Sequence, residues 1–229
     1  LRLRNQYYFM NNLLLIFTLK KIPKLSWSSL DELNLKPKIK TLVYLIFGLI
    51  LFGLGETLLV SANIGVSSWF VLHQGISFKT GYTIGITTFI VSIIVLFIWI
   101  PLKQKPGIGT ILNVIIIPIV TDLSLPHLPY PEIFLLQLLQ VIIGVLIVGL
   151  GSSFYLIANL GPGARDGLMT GTQKITKLSF SLTRTLIEFS VVAMGWYLGG
   201  IVGIGTVIYA LGIGPFVSAS FFFVGKYVK

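Results

Sequence analysis

Charged residues are rare in this chain, and one arginine follows a turn that could form part of an anion-binding site. Arg165 comes directly after Gly161, Pro162 and Gly163, and it precedes Asp166. A helix that begins at such a turn presents free backbone N–H groups and a partial positive charge, to which a guanidinium would add. We therefore expect this turn and its two charged residues to bind substrate. In the alternative interpretation Arg165 faces cytoplasmic phosphates and Asp166 only caps the helix.

A second charged pair, Arg184 and Glu188, lies within an apolar stretch. The two residues are four positions apart, so on a helix they share one face. Charges at membrane depth are costly and usually face the interior of a helix bundle. The pair could bind substrate or couple transport to protons, and it could equally be a structural ion pair without further function.

The first half of the chain carries a weaker set of candidates, namely Trp69, His73, Glu56 and Asp122. We expect His73 to be a hydrogen-bonded histidine rather than a metal ligand, because no partner of metal-ligand type lies at helical spacing. Glu56 is either buried or solvated near a membrane surface. Asp122 is expected at the outer boundary, where it caps a helix or meets water.

The composition excludes several classes of protein. Of 229 residues, 55% are hydrophobic and 10% are charged, and the mean hydropathy is +0.92, whereas soluble domains carry about 25% charged residues. The absence of cysteine removes disulfides and thiolate metal sites, and we expect no metal or cofactor. A net charge of +10 could suggest nucleic acid, but in a membrane protein it serves orientation. No hydrolase, Walker or dinucleotide motif is present, so no enzyme is predicted.

Six stretches are long and apolar enough to cross a bilayer as helices. They are residues 41–62, 82–102, 107–124, 133–158, 182–199 and 203–224. The run Leu13–Leu19 is too short to span and is predicted to lie on the lipid surface, within an N-terminal cytoplasmic or interfacial segment of residues 1–40. With six spans in residues 41–229, sixteen of the 17 lysines and arginines fall on one side and only Lys79 on the other. The positive-inside rule then makes both termini cytoplasmic, in a bacterial inner membrane.

The chain also matches itself at an offset of 96 residues. Ala62, Asn63 and Gly65 fall on Ala158, Asn159 and Gly161, and Gly107–Thr110 falls on Gly203–Thr206. Repeat one covers about 41–124 and repeat two about 133–224. Because each copy holds three predicted spans, the second must run upside down, as in many secondary transporters. The segments after spans one and four are too short to cross the membrane, and either lie on its surface or enter it.

Several motifs resemble those of the YczE/YitT-like bacterial integral membrane proteins, a poorly characterised family. They are Leu160–Gly171, Arg184–Glu188, Gly195–Gly200, Gly203–Thr206, Val71–Gly75 and Gly107–Thr110. The resemblance covers about residues 42–224 and implies a multi-span inner-membrane protein, of a family whose members are often described as uncharacterised or as candidate transporters. One departure is the first loop, where the family's Pro-Trp-Asp is replaced by Ser68, Trp69 and Phe70.

The sequence therefore predicts an all-helical membrane protein with six spans in two inverted three-helix repeats. The function expected is that of a secondary transporter or permease-like protein for a small solute. The alternative is a non-transporting membrane factor that assists or organises a partner protein. The expected partners are the lipid bilayer, a small solute, and a protein partner or a second copy of the chain, but not nucleic acid.

Overall fold

The computed structural model describes residues 22–228. In this part of the chain all regular secondary structure is helical. Its eight α-helices are α1 (Ile39–Ala62), α2 (Ser68–Thr80), α3 (Ile84–Trp99), α4 (Ile108–Ser124), α5 (Phe134–Ala158), α6 (Ala164–Thr176), α7 (Phe180–Tyr197) and α8 (Ile204–Tyr227). A short 3-10 turn, Leu125–His127, extends α4. The helices α1, α3, α4, α5, α7 and α8 occupy the six predicted stretches to within a few residues. The run Leu13–Leu19 lies outside the described residues.

The lengths and apolar composition of the helices support a multi-pass membrane protein, but fewer helices meet the criteria for a span than the sequence predicts. Four helices are long and apolar enough to cross a bilayer: α1, α4 with its 3-10 turn, α5 and α8. A fifth span arises if α2 and α3, which are bent by 116° at a short break, count as one. With 16 residues, α3 is about 24 Å long, which is less than the ~30 Å of a hydrocarbon core. The predicted count of six spans is not confirmed.

The helix boundaries recur at the spacing found in the sequence. The starts of α2 and α6 are residues 68 and 164, those of α3 and α7 are 84 and 180, and those of α4 and α8 are 108 and 204, so each pair differs by 96. Asn63 and Asn159, which end α1 and α5, both have left-handed backbone conformations, as do Gly65 and Gly161. The two matched segments therefore have the same local structure.

The paired helices α1 and α5 pack against each other in opposite directions. The closest neighbours of Gly48 are Phe154 and Gly151, whereas Gly55, further along α1, meets Gly144 and Val148 earlier on α5. Small residues at these positions let the two backbones approach closely, which is how helices commonly associate in membranes.

Each matched glycine motif packs against a loop of the other half, and these contacts hold the two halves together. The Gly205 N–H, at the start of α8, donates to the Ile64 carbonyl at 2.8 Å. The Gly109 N–H, at the start of α4, donates to the Leu160 carbonyl at 2.6 Å. Because Ile64 and Leu160 lie just after α1 and α5, each half supplies the loop for the other's glycine motif. The repeated tetrapeptides thus have a packing role.

The two halves differ in how their last helices pack. α3 lies along α4, and Asp122 of α4 accepts hydrogen bonds from the Thr83 hydroxyl at 2.5 Å and the Gly85 N–H at 2.7 Å. Asp122 therefore caps α3, one of the two roles predicted for it. The corresponding helices α7 and α8 make almost no contact within residues 22–228. The α3–α4 seam is closed, and the α7–α8 seam is open.

The described part of the N-terminal segment packs onto the helices and brings the two ends of the structure together. Trp27 is buried, and its ring lies close to the rings of Tyr44 and Phe154. Its Nε1 donates to the carbonyl of Val228 at 3.3 Å. Residues 27 and 228 therefore lie at the same end of the bundle.

Trp99 does not have the exposed position expected of an aromatic residue near a span end. Trp196 is well exposed, as interfacial anchors are, but Trp99 is only 1% exposed. Its Nε1 donates to the Ala164 carbonyl at 2.9 Å, and its ring lies directly against Gly167. Trp99 is a packing residue between α3 and α6, because glycine at position 167 leaves room for the indole.

Candidate functional site

The main cavity of the described residues lies where both short helices begin. It has a volume of about 330 Å³, within reach of the 300–1,000 Å³ of small-molecule sites. Its wall includes the first residues of α2 and of α6, together with side chains of α1, α4, α5, α7 and α8. The cavity is therefore built from both halves of the chain.

Both short helices start well inside the bundle rather than at the ends of α1 and α5. The Ser67 hydroxyl, at the N-cap of α2, donates to Glu56 Oε2 at 2.7 Å. Glu56 lies six residues before the end of α1 at Ala62, or about 9 Å along the helix axis. The connection after α1 therefore folds back along it. The same holds in the second half, where Tyr155 of α5 contacts Asp166 of α6.

Two helix N-termini consequently point at one cavity. Ser67 and Gly163 are the N-cap residues of α2 and α6, and neither helix has a side-chain cap at this position. The first backbone N–H groups of a helix have no partner within it and carry partial positive charge. Two such ends facing the same space create a site suited to negative charge.

Arg165 reinforces this positive character, in agreement with the prediction from the sequence. Its guanidinium lies over the Phe52 ring at 5.5 Å and over the Trp69 ring at 5.9 Å. Among the described residues it has neither an ion pair nor a hydrogen bond to a side chain. Aromatic faces attract a cation but supply no acceptor oxygen, so its N–H groups remain available to a ligand in the cavity.

Two carboxylates at or beside the cavity, Glu56 and Asp166, accept hydrogen bonds from protein hydroxyls. Glu56 is fully buried and accepts from Ser67 and from the Tyr209 hydroxyl at 3.2 Å. Asp166 accepts from the Tyr155 hydroxyl at 2.7 Å. Of the two possibilities for Glu56, burial is therefore observed rather than solvation at a membrane surface. Asp166 holds α6 against α5.

Arg184 and Glu188 form the ion pair that their spacing predicts, and both line the same cavity. Arg184 Nε lies 2.9 Å from Glu188 Oε1. Their side chains are 49% and 28% exposed, so the pair is on the accessible side of the cavity, on α7. Partly exposed pairs contribute little to stability, about 0–1 kcal/mol. If the pair had only a structural role, its contribution to stability would therefore be small.

The remaining predicted residues lie beside the cavity or away from it. His73 is buried, and its Nδ1 lies 3.0 Å from the Thr88 hydroxyl. It lines a second, very small cavity that also touches Trp69 and Arg165. Gly161 packs against Gly107 and Thr110 and positions the turn instead of lining the site. Asp122 belongs to the α3–α4 seam. Within residues 22–228, no three histidine or acidic side chains are grouped to hold a metal ion.

Sequence reasoning missed several polar residues of the wall. The most important are Tyr155, Tyr209 and Asn113. The repeat offset could have found some of them, because Asn113 and Tyr209 are 96 residues apart, as are Trp69 and Arg165. Repeated positions at a shared cavity are expected when two copies meet around it.

The sequence matches a family model described as a family of unknown function, DUF6198, over residues 39–221. This range runs from the first residue of α1 into α8, so it includes every element of the site. The chain belongs to this family. The family's match therefore covers the whole helical bundle and not one half of it.

Bacterial relatives support the same assignment. The chain is 38% identical over 196 residues to an uncharacterized protein of Haemophilus influenzae, covering 86% of this chain and 89% of the relative. It is 29% identical over 166 residues to the uncharacterized membrane protein YczE of Bacillus subtilis, covering 72% and 77%. A further B. subtilis relative, the uncharacterized protein YyaS, is 27% identical over 170 residues, covering 72% and 85%. The resemblance to YczE-like proteins is confirmed, and no solved structure matches the chain.

Proposed function

We propose that this protein is a secondary transporter that binds a small anionic solute in the cavity between its two halves. The protein acts as a carrier and not as an enzyme. It lies in the bacterial inner membrane with both termini in the cytoplasm, and α1, α3, α4, α5, α7 and α8 are six spans in two inverted repeats. The observation that carries the proposal is the meeting of two helix N-termini with the guanidinium of Arg165, which has no ion pair among the described residues, at one cavity.

Inverted repeats are supported by the matched boundaries at 96 residues and by the opposite directions of α1 and α5. Two copies of one segment, inverted across a central site, can exchange conformations. Such an exchange opens the site first to one side of the membrane and then to the other. The present asymmetry fits one half of this cycle, because the α3–α4 seam is closed while α7 and α8 stand apart. In the second state, α7 and α8 close and α3 and α4 separate.

Cysteine pairs can test this exchange, since the natural chain has no cysteine to interfere. The first double variant is Thr83→Cys with Asp122→Cys, whose native side chains touch. The second is Ser179→Cys with Ser218→Cys, which occupy the positions 96 residues further on. Both variants are oxidised in membrane vesicles, and cross-linked chains are separated from free ones by a gel-shift thiol label.

Both pairs are expected to cross-link, and a variant with all four cysteines is expected to form one bridge per molecule but not both. The first pair serves as the positive control for folding and oxidation. If the first pair cross-links fully and the second pair never does, the exchange does not occur and the transporter proposal fails. Formation of both bridges in one molecule would also contradict it.

Ligand binding gives a second test and distinguishes the alternative function. Purified protein is heated with a panel of organic and inorganic anions. A ligand at 100 times its dissociation constant should add about 2.7 kcal/mol of stability. We expect a saturable hit that Arg165→Gln removes. A folded protein that binds none of the panel, co-purifies with a stable partner in mild detergent and tolerates Arg165→Gln would instead be a partner-assisting factor.

A further inference from the structure

Arg165 is a cationic donor at the cavity and has no acceptor oxygen among the described residues. The hydroxyls of Ser67, Tyr209 and Tyr155 give their protons to Glu56 and Asp166. The cavity therefore suits a ligand that supplies acceptor oxygens and negative charge to Arg165.

Part of the wall of the same cavity is apolar. It is formed by Ile213, Val217 and Phe221 of α8, with Leu156 and Met169 beside them. This wall borders the open α7–α8 seam, so an elongated ligand could extend along it. A water molecule occupies about 30 Å³ in the liquid, and an inorganic ion would leave most of about 330 Å³ unfilled.

We infer that the solute is an amphipathic organic anion. Its carboxylate or phosphate-monoester head meets Arg165 and the two helix N-termini, and its apolar body lies along α8 towards the open seam. This inference rests on the proposed function, because it names the class of solute that the same cavity binds. The head supplies acceptor oxygens to Arg165, and the body covers the apolar wall.

A chain-length series can test both parts of the ligand. The probes are acetate, butyrate, hexanoate and octanoate, with hexanamide, hexyl phosphate and inorganic phosphate for comparison. Dissociation constants are measured by calorimetry with the protein in lipid nanodiscs, after subtraction of empty nanodiscs. Each added methylene that reaches the wall should tighten binding about fourfold, the factor that corresponds to ~0.8 kcal/mol. Hexanamide should not bind, and inorganic phosphate should bind far more weakly than hexyl phosphate.

Two variants separate the head from the body. Arg165→Gln should weaken the binding of every anion by a similar factor and leave the dependence of affinity on chain length unchanged. Val217 lines the apolar part of the cavity, and Val217→Thr keeps the shape of the side chain but adds a hydroxyl. This variant should weaken the binding of hexanoate and octanoate while leaving the binding of acetate unchanged. Val207→Thr, at a 51% exposed position of the same helix outside the cavity, is the control for the added hydroxyl and should change the binding of neither.

Equal affinity for acetate and octanoate would overturn the inference, as would hexanamide binding as tightly as hexanoate. Its failure is distinguishable from failure of the transporter proposal. If the chain-length series holds but the α7–α8 cysteine pair never cross-links, the ligand class stands and transport fails. If both seams cross-link and no organic anion binds, transport stands and the ligand class is wrong.

Discussion

Two glycines of α8 provide a sharp test of how the halves are joined. At Gly205, an added Cβ would run into the carbonyl oxygen of Gly65, and the Gly205 N–H would lose its 2.8 Å bond to Ile64. A lost hydrogen bond costs about 1 kcal/mol, and overpacking costs about 1–3 kcal/mol more. Gly205→Ala should therefore lower the free energy of unfolding by about 2–4 kcal/mol.

Gly225→Ala is the matched control, because the same change twenty positions along α8 brings the added Cβ only into ordinary contact with Pro23, at 3.7 Å. There alanine should stabilise the helix by up to about 1 kcal/mol relative to glycine. At roughly 2–4 °C per kcal/mol, Gly205→Ala should lower Tm by about 4–16 °C, and Gly225→Ala should raise it by up to about 4 °C. One chemical change is thus expected to give clearly different shifts of Tm at the two positions.

The assay is thermal unfolding of the purified protein in one detergent, followed by tryptophan fluorescence and by loss of the monodisperse peak. Gly109→Ala, 96 residues before Gly205, should behave like Gly205→Ala, since its Cβ would lie 2.9 Å from the Leu160 oxygen. Equal Tm values for the Gly205 and Gly225 variants would refute the view that close docking of the glycine motifs holds the halves together.

Three further changes test other contacts. Glu188→Gln should abolish proton-linked uptake of labelled hexyl phosphate, whose charged head does not cross a bilayer unaided, into proteoliposomes while changing stability by no more than about 1 kcal/mol; uptake at the normal rate would remove Glu188 from coupling. Asp122→Ala removes the cap of α3 and should cost about 1–2 kcal/mol in thermal unfolding; an unchanged Tm would show that the cap is dispensable. Trp99→Phe deletes the bond to Ala164 and should cost about 1–2 kcal/mol; a smaller loss than for Trp196→Phe, at an exposed site, would contradict the packing role of Trp99.

Local signals in the sequence located most helix ends. Asn63 and Asn159 adopt the left-handed conformation that ends a helix, and asparagine tolerates it better than most residues. Thr83 and Ser179 each accept a backbone hydrogen bond as N-caps of α3 and α7. These features depend on residues close in the chain, which is why the pattern of the sequence could reveal them.

The candidate site was predictable only in part. The turn before Arg165 and the spacing of Arg184 and Glu188 follow from neighbouring residues, and the structure brings all three charged side chains to one cavity. The contact of Tyr209 with Glu56 joins residues 153 positions apart. No local pattern encodes such a pair, because its distance is decided by how α1 and α8 pack.

The sequence by itself determined the membrane character of the chain, its helices and its internal repeat, because hydropathy, caps and glycine spacing act over short distances. Only the tertiary structure decided that Trp99 is buried, since that depends on Gly167 of a different helix. It also decided which seam is open. Two similar halves can each pack closed or apart, and the choice between these arrangements arises from contacts between helices, which the repeated sequence alone does not distinguish.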